Sequence, residues 1–343
     1  MAVALASGCA AEPGNGAGAG APPGGRPPGT PPSGTPASGP PASGPPASGP
    51  PSSGASASGG VRSPGAGVGP APGQPRRPVE RPQQPGLVQP GAAAALGAYV
   101  EKVKRAHTAR AAAARKWGLA RTPLVAPPPP AEKPEITFRK GFEAGDPSLP
   151  PVFTTVPTKE RIVFLTIDDG AEKDPELLRM MTELDVPYSA FLSDYLIKDD
   201  YGYFERMQAR GVALQNHTLN HRYMPALSYA EQKHEICGQQ EIIEKRYGKR
   251  PRLFRPPYGN YNRDTLRAAQ SCGVKAVPLW SAEVFPDHME WREWDRDLHP
   301  GDIVLTHFRG RGDWKGSMAD MIRRALNTIT AKGYAVARLE DYV

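Results

Sequence analysis

Two carboxylates, Asp168 and Asp169, stand side by side directly after the apolar run 162–167 and directly before Gly170. The run is rich in β-branched and aromatic residues and short enough for one buried strand. Two acids at the end of such a strand repel each other and both lose solvation, so a cation, a proton or water must offset the cost. Further along, His217 and His221 are spaced i and i+4, a spacing that puts both rings on one face of a helical turn, where they can grip one ion. With a strand-end Asp they make three N/O ligands and leave a position open, the pattern of a catalytic rather than a structural metal. Arg255, Tyr258 and His307 also follow strand-like runs.

The elements that must position these residues alternate. Strand-like runs cover 162–167, 188–192, 212–215, 253–255, 276–280, 303–306 and 335–339; helix-like runs cover 174–184, 201–210, 229–247, 263–272, 289–297 and 318–332. Such alternation predicts parallel strands with helical crossovers. About seven strands predict an α/β fold of the distorted, incomplete (β/α) barrel type, since a full eightfold barrel takes ~250 residues. An open doubly wound sheet is the competing fold, but no Gly-rich phosphate loop follows the first strand. Chemistry in barrels sits at the C-terminal strand ends, where Asp168, Asp169, His217, Arg255, Tyr258 and His307 all fall.

Thr166-Ile167-Asp168-Asp169-Gly170, His217-Thr218-Leu219-Asn220-His221, Arg255-Pro256-Pro257-Tyr258-Gly259 and Leu305-Thr306-His307 stand in the order and rough spacing of the polysaccharide deacetylase family (NodB-homology domains, carbohydrate esterase family four). The segment 150–343 resembles that family, and the closing Lys332-Gly333-Tyr334 looks like its last helix–strand turn. The resemblance implies Asp168 as general base, Arg255 as its ionising partner and His307 as general acid. It implies Asp169, His217 and His221 as ligands of Zn2+ or another divalent first-row metal such as Co2+. It places the Tyr258 backbone N–H at the oxyanion and Leu305 in the wall of an acetyl pocket. One departure stands out: where the family has an Asp-Trp pair after a strand tryptophan, Trp280 is followed by Glu283, Asp287 and His288, and the residue after His307 is Phe308. The partner of His307 is thus Glu283 or Asp287. Trp280, Trp291, Trp294 and Trp314 can offer sugar-stacking faces or fill the core, while His234, His288 and His299 suit surface or structural places.

The rest of the chain is of another kind. Of 41 prolines in 343 residues, 22 lie in the first 100, and Pro-Ala-Ser-Gly-Pro occurs three times between Pro36 and Pro50. A segment so poor in apolar surface is expected to stay disordered. Four parts follow: 1–9, a possible lipoprotein signal remnant ending at Cys9; 10–92, a disordered linker; 93–148, a basic helix and Pro-rich linker; and 149–343, the catalytic domain. The helix, 93–120, has a thin stripe of Tyr99, Val100, Val103 and Trp117 and is expected to be exposed, docking through Trp117, with Pro127–Pro130 beyond it as a stiff segment. Residues 1–160 carry 16 Lys/Arg against 8 Asp/Glu, a net of +8, and residues 161–343 carry 26 against 27, a net of −1. The positive charge belongs to the tail, which suits an anionic surface or a merely solvated linker; no aromatic-interleaved basic patch points to nucleic acid. Three cysteines exclude a disulfide scaffold. Cys237 and Cys272 are either a disulfide, if the chain is exported, or two buried thiols, the preferred reading.

These features point to a monomeric, extracytoplasmic, metal-dependent hydrolase that removes N-acetyl groups from an amino-sugar polymer such as peptidoglycan, with a possible membrane lipid anchor at Cys9. The alternatives are a C–N hydrolase on a non-sugar substrate, or a weakly catalytic wall-binding protein.

Overall fold

The computed structural model describes residues 90–136, 146 and 148–343. The possible signal remnant, Cys9 and nearly all of the expected linker 10–92 lie outside the described residues. Helix α1 (Pro90–Lys116) comes first, then strands β1 (Val152–Phe153) and β2 (Ile162–Asp169). The chain continues through α2 (Pro175–Leu184), β3 (Ser189–Leu192), α3 (Asp194–Ile197), α4 (Tyr201–Gln208), β4 (Ala213–Asn216), α5 (Tyr229–Tyr247), α6 (Arg263–Ser271) and β5 (Val277–Pro278). It ends with β6 (Ala282–Val284), β7 (Met289–Trp291), β8 (Ile303–His307), α7 (Met318–Ala331) and β9 (Ala335–Ala337).

The main sheet has seven strands, ordered β4-β3-β2-β8-β6-β7, with β9 added beside β2. All its pairings are parallel except that of β6 with β7. Bridges Asn216–Phe254 and Leu253–Ala276 carry the wall on past β4, and Ser281 N–H donates to Ile303 O (2.9 Å) on the far side. The result is a distorted, incomplete (β/α) barrel. All eight residues of β2 are buried, as the central strand of a parallel sheet requires. Helices cover the sheet with ordinary start signals: Asp174 caps α2 ahead of Pro175, and Ser228/Glu231, Asn262/Thr265 and Ser317/Asp320 form capping boxes on α5, α6 and α7. Register then levels the functional ends: Asp168 is opposite Phe191 on one side and His307 on the other, and Asp169 is opposite Leu192, itself opposite Asn216.

Three expectations change. The run 289–297, expected as a helix, begins with strand β7. The turn Phe285–His288, closed by Phe285 N–H donating to His288 O (3.0 Å), folds it back antiparallel on β6, with Met289 and Trp291 partly buried and Glu290 exposed. The preferred pair of free thiols is a disulfide, Cys237–Cys272, joining α5 to the C-cap of α6. Finally, β1, α3 and β6 were not foreseen; elements of two to four residues are too short to show a period.

Helix α1 docks by its C-terminal end. Arg110 is buried and donates to Leu184 O (2.8 Å) and Pro123 O (3.2 Å), and Trp117 Nε1 donates to Glu183 (2.7 Å). Beyond it Leu124 bridges to Ala335, and Lys133 donates to Val343 O (2.7 Å), so this stretch lies against the barrel. Among the described residues no helix is long and apolar enough to cross a membrane.

Candidate functional site

The acid pair ends β2 in two different environments. Asp168 Oδ1 accepts from Arg255 Nη1 at 2.6 Å. Arg255 is wholly buried, donating also to Thr166 Oγ1 (2.9 Å) and Pro278 O (2.8 Å), with its guanidinium 4.2 Å from the Phe191 ring centroid. Burial pulls its pKa below the ordinary guanidinium value, and Asp168 opposes that pull. Asp169 has a left-handed backbone (φ 81°), and both carboxylates approach His217 Nε2, Asp169 Oδ1 at 3.5 Å and Asp168 Oδ2 at 3.8 Å. The next residue must be glycine: a Cβ on Gly170 (φ 95°) would lie 2.4 Å from Ile197 Cγ2.

Asp169 Oδ2 accepts from Arg309 Nη2 (2.8 Å) and Nε (3.2 Å). Its Oδ1 is buried without a hydrogen-bond partner and faces His221 Nε2 at 3.2 Å and His217 Nε2 at 3.5 Å. Burial alone would raise the Asp169 carboxyl; the two imidazoles, and then His307, hold it well below the usual carboxylate range. His217 Nδ1 lies 2.7 Å from Arg255 O, so it carries the proton there and leaves Nε2 as a lone pair. Burial would likewise lower the His217 imidazole, but Asp168 and Asp169 outweigh it and raise it. The place therefore favours positive charge. Ligand atoms of Asp169, His217 and His221 lie within 4.8 Å of one another. An orphaned carboxylate oxygen among converging imidazole nitrogens fits a divalent first-row cation.

The histidines do not meet on a helical turn. Thr218 (φ 71°) and His221 (φ 52°) are left-handed, and the segment is a loop. Asn216 Oδ1 accepts from Thr218 N (2.8 Å), and Thr218 Oγ1 accepts from His221 N (3.0 Å). Buried Glu235 on α5 accepts from Asn220 N (2.8 Å) and Nδ2 (2.9 Å). These bonds compensate a backbone that the residue types disfavour. Four of the six left-handed non-glycine residues among those described (Asp169, Thr218, His221, Tyr258) belong to this site, where such conformations concentrate.

Across the cavity, His307 Nδ1 lies 3.3 Å from Glu283 Oε1, without the alignment of a hydrogen bond. Burial lowers the His307 imidazole; burial, then the charges of Asp168 and Glu290, push Glu283 up to about 7. Asp287, the other candidate partner, bonds His288 at the surface instead (2.7 Å). Trp280 and Tyr258 complete the near wall, the Tyr258 ring 4.8 Å from that of His221, and Trp314 stands 5.6 Å from His307. The cavity has a volume of about 450 Å³. Leu305 and Arg255 do not line it but lie wholly buried. Trp291 packs partly buried against the core, and Trp294 is 93 % exposed. Arg309 was missed: it stands two residues beyond the last motif, and only the loop after β8 brings it back onto Asp169.

Residues 155–277 match the family model described as polysaccharide deacetylase. Over 209 residues the chain is 42% identical to an uncharacterised protein of Streptomyces coelicolor, SCO4760, covering 58% of this chain and 83% of that one. It is 26% identical over 200 residues to a peptidoglycan-N-acetylglucosamine deacetylase of Bacillus cereus, covering 54% of this chain and 90% of the other. Among solved structures, the Bc1960 peptidoglycan N-acetylglucosamine deacetylase superposes with a TM-score of 0.49 at 22% identity, over 56% of this chain and 91% of that one. The chain belongs to the polysaccharide deacetylase family.

Proposed function

We propose that this protein is a metal-dependent hydrolase that removes N-acetyl groups from an amino-sugar polysaccharide, with peptidoglycan or another cell-wall glycan as substrate. The observation that carries this reading is the convergence of Asp169 Oδ1, His217 Nε2 and His221 Nε2 beside a second, separately held carboxylate. A zinc or similar ion held by those three residues would supply Lewis-acid polarisation of the acetyl carbonyl and of water. Asp168, bonded to the buried Arg255, takes the proton of the attacking water. His307, level with Asp168 on the adjoining strand, donates a proton to the departing nitrogen. The Tyr258 backbone N–H is assigned to the developing oxyanion. Trp280 and Trp314 offer flat faces for sugar rings.

The disulfide supports an oxidising, extracytoplasmic setting. A lipid on Cys9, followed by the Pro/Gly/Ser spacer, would tether the catalytic part, residues 149–343, to a membrane. Acetate release from N-acetylglucosamine oligomers and from peptidoglycan, with zinc present, tests the reading. The wild type should release acetate, and Asp168→Asn should lose about 10²- to 10⁴-fold in rate while still binding zinc. Glu283, in place of the family's Asp, favours the second reading, a C–N hydrolase on a non-sugar substrate. Zinc binding without release from any acetylated glycan would turn the assignment to that substrate class or to wall binding alone.

A further inference from the structure

Helix α1 is two-sided in a way that its docking does not use. Every described side chain from Ala93 to Ala109 is exposed. Leu96, Tyr99, Val100 and Val103 follow the i, i+3, i+4, i+7 pattern and so form one apolar stripe, with exposures of 63%, 63%, 41% and 49%. At 100° per residue that stripe runs on into Arg110, Ala114 and Trp117, the line by which the C-terminal end packs on the barrel. The N-terminal half thus presents the continuation of a docking face that none of the described residues covers. Lys102 and Lys104 flank the stripe on its two sides, and Arg105 lies behind it. The free half carries Lys102, Lys104 and Arg105 against the single acid Glu101, which pairs with Lys104 (3.0 Å), while Arg110 is buried and Lys116 pairs with Glu183 on the barrel.

We propose that α1 is an interfacial helix that lies on an anionic lipid bilayer. A second copy of α1 would cover the stripe but bring one set of cations against another. An anionic wall polymer or a nucleic acid would meet the cations but leave the stripe in water. Only a surface with negative headgroups above hydrocarbon answers both faces, with the long lysine stems reaching outward past the apolar edge. This contact is separate from any acyl chain on Cys9 and from the chemistry of the barrel.

The test is co-sedimentation of the full chain carrying Cys9→Ser with phosphatidylcholine vesicles, with and without phosphatidylglycerol. Binding is expected only to the vesicles that contain phosphatidylglycerol, and it should weaken as salt rises. Lys102→Ala should reduce affinity about fivefold, the worth of one cation near an anionic leaflet. Val103→Glu and Val103→Lys should each reduce it about tenfold, since both remove apolar contact. The rate of acetate release from soluble oligomers should be unchanged in both, because Val103 is exposed and lies outside the packed core. Three results would overturn the proposal: no binding to phosphatidylglycerol vesicles, tighter binding by Val103→Lys (charge alone), or a solution dimer that Val103→Glu dissolves.

Discussion

Asp169 divides its two oxygens between different partners, and that division makes it sensitive to a residue outside the ligand set. Arg309 holds Oδ2 while Oδ1 faces the imidazoles. A guanidinium there positions the carboxylate but also withdraws part of its charge from any cation at Oδ1. Arg309→Met should therefore tighten zinc binding by about tenfold, roughly 1.4 kcal/mol, measured by competition with a chelating indicator. Unchanged or weaker binding would show that orientation outweighs charge. Glu283 makes a separate prediction for the metal-free protein. Its folded value is raised to about 7 from 4.5, with burial as the largest cause. Between those values the folded state keeps a proton that the unfolded state has released. The stability linked to this group is therefore complete below the unfolded value and lost as pH rises through the folded one. At about 1.4 kcal/mol per unit, the loss is on the order of 3–4 kcal/mol. Unfolding free energies from urea titrations at acid and alkaline pH should diverge for the wild type by that much more than for Glu283→Gln.

At the scale of elements, α5 is the support of the site. Glu235 holds Asn220, Ile236 O and Gln240 accept from Asn216 Nδ2, and Gln239 Nε2 donates to Leu192 O. One turn further in, Gly238 leaves room for Leu219, whose Cδ1 would lie 2.6 Å from an added Cβ. The disulfide then ties this helix to α6 across 35 residues. Closing a loop of that length removes enough unfolded-state entropy to contribute about 3–4 kcal/mol. Replacing both cysteines by serine should cost that amount in denaturant unfolding, and metal affinity should fall with it because the helix behind the histidine loop loosens. Much of this arrangement was legible in the chain. Strand β2 declares itself by a continuous apolar run, and its acids mark the end where barrels do chemistry. The rest depends on contacts between distant residues. An i, i+4 histidine pair fits a helical turn as well as a loop with left-handed Thr218 and His221, and only Glu235 and Asn216 decide for the loop. Met289-Glu290-Trp291 takes strand form because β6 offers it a partner. The spacing of Cys237 and Cys272 does not reveal that α5 and α6 pack together, and Arg309 reaches Asp169 only through the loop after β8.

For the molecule as a whole, the proposed ligand cluster is where stability and activity would meet. Two buried carboxylates, two imidazoles and four strained backbone positions gather at one end of the barrel, a cost that a bound cation would offset. An ion that binds the folded state and not the unfolded one adds RT ln(1 + [L]/Kd), about 2.7 kcal/mol when free zinc exceeds its dissociation constant a hundredfold. For a folded unit of about 200 residues, each kcal/mol shifts the melting temperature by about 2–4 °C. Chelation should therefore lower the Tm by roughly 5–10 °C, and added zinc should restore it. Asp169→Asn keeps the shape of the side chain but gives up the charge at the centre of the cluster. Its melting temperature should hardly respond to chelator or zinc, while Asp168→Asn, which leaves the three ligands in place, should respond as the wild type does. Equal zinc shifts in Asp169→Asn and the wild type would move the ion away from Asp169, His217 and His221, and with it the division of labour between the two neighbouring acids.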